Sequence, residues 1–93
     1  MGVVYIEGLV TGAGDRQATV RFLVDSGATY SLLPDGVWQE IGLAEKRTMT
    51  FAMADGTPVE RQVSECHFSL PQGEGHAPVI LGLPGDQALL GVV

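Results

Sequence analysis

The 93-residue sequence holds a single cysteine, Cys66, so no disulfide can close within the chain. That usage fits a reducing compartment. Basic residues are scarce: 5 Lys and Arg stand against 11 Asp and Glu, for a net charge of −6. The nearest thing to a basic cluster is the pair Lys46-Arg47. Too little positive charge is present to neutralise phosphates, which argues against a nucleic-acid partner and against an anionic membrane surface. The acidity is read as a device of solubility. No apolar run approaches the ~20 residues that a membrane-spanning helix needs. The start of the chain lacks the basic-then-apolar layout of a secretory leader. Ile6 stands where a myristoylation pattern wants Ser or Thr. A cytoplasmic location is the expectation.

What is abundant is apolar residues, 45% of the chain, together with 13 glycines and 5 prolines. The first figure suits a packed core, and the length suits one domain spanning residues 1–93. The glycines and prolines disfavour long helices and favour short strands joined by turns.

A β-branched and aromatic run over residues 3–11 reads as a strand, with Gly8 as a bulge. Residues 12–15 form a turn. In the strand at 17–24, Ala18, Val20, Phe22 and Val24 share one face, with Thr19 and Arg21 on the other. These two strands are expected to form a hairpin. Residues 30–33 read as a short strand ended by Pro34. Asp35 is placed to cap a two-turn helix over 36–41, stopped by Gly42. Val37, Trp38 and Ile41 give that helix an apolar face, and Trp38 is read as packing.

Residues 48–54 alternate, with Met49, Phe51 and Met53 opposite Thr48, Thr50 and Ala52. Asp55-Gly56 signals a hairpin turn. The return strand begins at Thr57. Its apolar phase then slips from odd positions (Val59, Val63) to even ones (Cys66, Phe68, Leu70). Such a slip implies a bulge or a strand that leaves one sheet for another. Residues 72–76 read as a polar loop, 77–83 as a strand, 84–86 as a turn, and 88–93 as a buried run. The sum is all-β with one small helix, in a barrel or sandwich.

Asp25 stands out in this pattern. It ends the apolar run Phe22-Leu23-Val24 and is followed by Ser26-Gly27-Ala28-Thr29. A carboxylate leaving water must find a partner, shift its pKa or do chemistry, because burying it unpaired costs at least several kcal/mol. The small residues that follow allow a tight turn. The plainer reading is a turn residue at a strand end.

The segment from Phe22 to Ser31 resembles the active-site segment of retropepsin-like aspartic proteases, whose pattern is apolar-apolar-Asp-(Thr/Ser)-Gly-Ala. The hairpin tip around Ala54-Asp55-Gly56-Thr57 lies where that family places its flap. Leu89-Leu90-Gly91 is similar to the family's apolar-apolar-Gly segment, which packs under the catalytic loop. The resemblance implies a small closed barrel with a flap hairpin and one short helix, working as a homodimer on a peptide or protein substrate. It implies Asp25 as the catalytic acid, with Ser26, Gly27, Ala28 and Thr29 as the active-site loop. Met53, Ala54, Asp55 and Gly56 would then form the flap over an extended peptide, and Leu89, Leu90 and Gly91 would support the catalytic loop. No cofactor or metal is implied.

The chemistry asks for the second copy independently. One carboxylate must take a proton from water while another, protonated, donates to the scissile carbonyl. Like charges ~3 Å apart cannot both ionise, so such a pair keeps a proton. Only one Asp-Ser-Gly occurs in this sequence, so the other carboxylate is expected from a symmetry mate. In the family the chain continues beyond the Leu-Leu-Gly segment into a helix and often a terminal strand; here it stops at Val93. Either the sequence is truncated at the C-terminus or the subunits pair differently.

The alternative from another class is a catalytically silent interaction domain that binds partner peptides on the same barrel. Elsewhere, Met49, Phe51 and Met53 are read as core packing, and Cys66 as a small buried apolar residue. Cys66 and His67 point to opposite faces of a strand, so they cannot share a metal ion.

Overall fold

The computed structural model of the chain describes residues 3–25, 29–52 and 55–91. The strands are β1 (Tyr5–Thr11), β2 (Gln17–Asp25), β3 (Ser31–Leu33), β4 (Arg47–Ala52), β5 (Pro58–Leu70), β6 (Gly73–Leu81) and β7 (Leu89–Gly91), with one helix, α1 (Asp35–Glu40). Their lateral order is β1-β2-β7-β3-β6-β5-β4, and β1 also pairs with β5. Six strands therefore close on themselves as a barrel, while β4 stands outside the ring and pairs only with β5 among the described residues. This is the all-β closed barrel with a hairpin and a short helix that the sequence led us to expect.

The core follows from alternation. Val20 and Phe22 on β2, Val10 on β1, and Cys66 and Phe68 on β5 point inward and are buried. Leu33, Val79, Leu81, Ala88, Leu90 and Ile41 complete the cluster. The Phe22 and Phe68 rings meet across it at 5.9 Å between centroids. Burying a side chain of this size is worth about 1.5–3 kcal/mol. α1 packs Val37 and Trp38 against the core, and the Trp38 indole N–H donates to the Gly82 carbonyl at 2.8 Å. Gly42, at φ +71°, lies just past the helix and ends it as expected.

Three local expectations are corrected. Gly8 is not a bulge: the β1–β2 register runs through it unbroken, opposite Val20. It is a point of close approach, where an added Cβ would lie 2.6 Å from Leu70 Cδ2. Asp35 does not cap α1 from outside. Pro34 occupies the cap position, and Asp35, in the first turn, accepts from Gln39 Nε2 at 2.6 Å.

The segment at 72–76 is not a loop. β6 begins at Gly73 and pairs residue by residue with β5, His76 opposite His67 and Gly73 opposite Leu70. The ladder offered by β5 outweighs the weak strand propensity of Gly-Glu-Gly. Of the two readings of the phase slip in β5, a bulge is absent and the strand that changes partners is what the register shows. Val63 pairs with Arg47 of β4 and also with Ile80 of β6, in one continuous register. Below Val63 the strand belongs to the hairpin; above it, to the barrel. The buried side changes there, so the neighbours Val63 and Ser64 are both buried.

Candidate active site

Asp25 is the last residue of β2 and is half-buried. β7 runs parallel to β2 with Leu89 beside Leu23, Leu90 beside Val24 and Gly91 beside Asp25. The Gly91 N–H donates to Ser31 Oγ at 3.0 Å, and Ser31 opens β3. Three strands are thus tied together at the position of Asp25. The core-facing hydrophobics of β2 and β7, Phe22 and Leu90, anchor this corner from below.

Alternation puts Leu23 on the same face as Asp25. The register then assembles a lateral apolar row on that face: Leu23 beside Leu89, Leu89 beside Leu32, Leu32 beside Ile80, Ile80 beside Val63. Leu23, Leu89, Leu32 and Ile80 are half-buried. None of the four belongs to the residues packed against the barrel core. They floor a surface outside the core, with a carboxylate at its end.

The β4–β5 hairpin lies beyond this row. Met49 and Phe51 are half-buried, while Thr48, Thr50 and Ala52 are exposed. The Phe51 ring meets the Tyr30 ring edge to face, 5.6 Å between centroids at 81°. Ala52 pairs with Pro58, the last pair described before the tip. There the Asp55 carboxylate accepts the Thr57 N–H at 2.9 Å, which holds its pKa below the usual 3.8.

Of the residues expected in the site, Asp25, Leu89, Leu90 and Gly91 come together at one corner. Thr29 is exposed just beyond it, and Asp55 and Gly56 are exposed at the hairpin tip. Ser26, Gly27, Ala28, Met53 and Ala54 lie outside the described residues. Sequence reasoning did not single out Ser31, Tyr30 or the row Leu23, Leu32 and Ile80 for the site. Leu23, out of phase with the inward residues of β2, was the available signal.

The remaining aspartates stand elsewhere. Asp35 lies in α1, Asp55 in the hairpin tip, and Asp86 accepts the Leu83 N–H at 2.7 Å in a turn before β7. Asp15 sits in the turn between β1 and β2. None of these four stands on β2, β3 or β7.

Cys66 faces the core, and burial pushes its thiol pKa up to about 12. His67 faces outward and lies against His76 across the β5–β6 pair, ring centroids 5.2 Å apart. Among the described residues, no group of three or more His, Cys, Asp and Glu is placed to hold a metal ion.

A closed barrel with a projecting hairpin and a strand-end aspartate backed by a Leu-Leu-Gly strand defines the retropepsin-like fold. The family model for aspartyl proteases matches residues 5–92, so the chain belongs to that family. Two solved structures are similar. The simian foamy virus (mac) protease aligns with a TM-score of 0.65 at 22% identity, over 95% of this chain and 87% of that one. A retropepsin-like aspartic protease from Rickettsia conorii aligns with a TM-score of 0.56 at 25% identity, over 98% of this chain and 75% of that one. The comparison with curated proteins gave no match. By family, the chain is a hydrolase of the aspartic protease class.

Proposed function

We propose that the chain is an aspartic endopeptidase, active as a homodimer in which Asp25 of each copy forms the catalytic pair. The observation that carries this reading is the placing of Asp25. It ends β2 beside Gly91 and shares a face with an apolar floor, while the other four aspartates stand on other elements. One chain therefore offers one suitable carboxylate, and the chemistry needs two.

In the pair, one carboxylate is charged and takes a proton from a water molecule. The other is protonated and donates a hydrogen bond to the scissile carbonyl. The water attacks the carbonyl carbon, and the tetrahedral intermediate collapses as the leaving nitrogen gains a proton. No covalent link to the enzyme and no cofactor is required. The substrate lies extended along the apolar row and pairs its backbone with protein strands. The β4–β5 hairpin, with Asp55 and Gly56 at its tip, closes over it and excludes water.

Asp25→Asn keeps the shape of the side chain and removes its acid–base chemistry. The expected result is loss of peptide cleavage with an unchanged melting profile. Cleavage retained by that variant would refute the assignment.

A further inference from the structure

The β4–β5 hairpin has one lateral partner too few. Among the described residues β4 pairs with β5 alone, so no described backbone pairing ties its outer edge to the barrel. What meets the barrel side instead is an aromatic contact. Phe51, one residue before the end of β4, packs edge to face on Tyr30 at 5.6 Å. Both rings are half-buried. Tyr30 is itself held from behind. It precedes Ser31, which is buried and accepts the Gly91 N–H at 3.0 Å, and Gly91 lies beside Asp25. The contact therefore joins a strand of the hairpin to a segment whose position is set by the Asp25 corner.

We propose that Tyr30 and Phe51 form a latch that sets the resting position of the hairpin over the apolar row. A peptide then reaches that end of the row only when the two rings part. This rests on reading the hairpin as the flap of the proposed protease. Tyr30 and Phe51 are positioning residues in this scheme; neither takes part in proton transfer. An edge-to-face pair shifts a two-state equilibrium by about two- to tenfold. A contact of that size biases the hairpin toward the closed position and still lets it open on each turnover.

The test follows the hairpin directly. Spin labels are attached at Thr50→Cys on β4 and Thr19→Cys on β2, both exposed positions. Cys66, buried and with its thiol held protonated, does not compete for the label. Labelled chain is diluted into unlabelled chain, so that only distances within one copy are read. With Tyr30 present, one dominant distance is expected. Tyr30→Ala is expected to raise a second, longer distance several-fold. Tyr30→Phe, which keeps the ring, restores the parent distribution. Phe51→Leu, which keeps apolar bulk and loses the ring edge, is expected to behave like Tyr30→Ala and serves if the latter fails to fold. Identical distributions in all these proteins would overturn the latch. So would a Tyr30→Phe variant as open as Tyr30→Ala. The measurement does not depend on Asp25, so a failed latch and a failed protease assignment are told apart by the cleavage assay of Asp25→Asn.

Discussion

The backbone amide of Gly91 donates to the hydroxyl of Ser31 at 3.0 Å, across 60 residues of chain. The bond joins the start of β3 to the end of β7, next to Asp25 on β2. Ser31 is 8% exposed, so water cannot readily replace it. Ser31→Ala leaves a backbone donor unsatisfied, at a cost of about 1–3 kcal/mol. Chemical denaturation is expected to show that loss, and cleavage is expected to fall further than stability because the Asp25 corner loosens. Ser31→Thr, which keeps the hydroxyl, is expected to recover most of both.

Trp38 fastens α1 to the barrel through one directional bond, from its indole N–H to the Gly82 carbonyl at 2.8 Å. Trp38→Phe keeps most of the packing area and deletes the donor. The expected loss is about 0.5–1.5 kcal/mol, read from the denaturation midpoint. Trp38→Ala also opens a cavity, and about 3–5 kcal/mol is expected.

Cys66 is buried, and its thiol pKa stands near 12 against an ordinary 9.0. The thiolate is the reactive form, so alkylation at pH 8 is expected to be slow in the folded protein and fast in denaturant. The sign of the pH effect follows from the raised value. Below about pH 9 both folded and unfolded states keep the proton, and the stabilising effect is complete. As pH rises from there toward 12, only the unfolded chain releases it, and stability falls. Rapid alkylation under native conditions would place Cys66 outside the core.

At the hairpin tip the Asp55 carboxylate accepts the Thr57 N–H, and its pKa is lowered below 3.8 by that bond. A lowered acid lends its stabilisation above the ordinary carboxylate value and loses it as pH falls through the folded one. Asp55→Ala is expected to speed hydrogen exchange at the Thr57 amide and to leave the global melting temperature almost unchanged, since the site is fully exposed.

Much of this architecture was legible in the residues. The inward series Ala18, Val20, Phe22 and Val24 announced β2 and carried Asp25 to its end. Leu89-Leu90-Gly91 announced β7, and Met49 and Phe51 against Thr48 and Thr50 announced β4. The misreadings have a common cause. Gly73, Glu74 and Gly75 have poor strand propensity and became strand because β5 supplied a partner. The phase change around Val63 left a bulge and a change of partner both open, and only the long-range pairing shows that a single strand passes there from hairpin to barrel. The apolar row beside Asp25 takes one residue from each of several strands. Its lateral register is set by long-range pairing, which no local pattern reveals. Tyr30 and Phe51 were each visible as aromatics, but their contact joins β4 to the segment before β3 and exists only in the folded chain.

The account stands or falls on whether two Asp25 side chains from separate copies act together. The direct measurement mixes wild-type protein with Asp25→Asn protein, at concentrations where the chain is dimeric, and follows cleavage per wild-type chain. With the variant in threefold excess, random pairing leaves about one quarter of wild-type chains with a wild-type partner. Activity is expected to fall to about that fraction. Undiminished activity at every ratio would mean that a single chain cleaves alone, and would contradict the account.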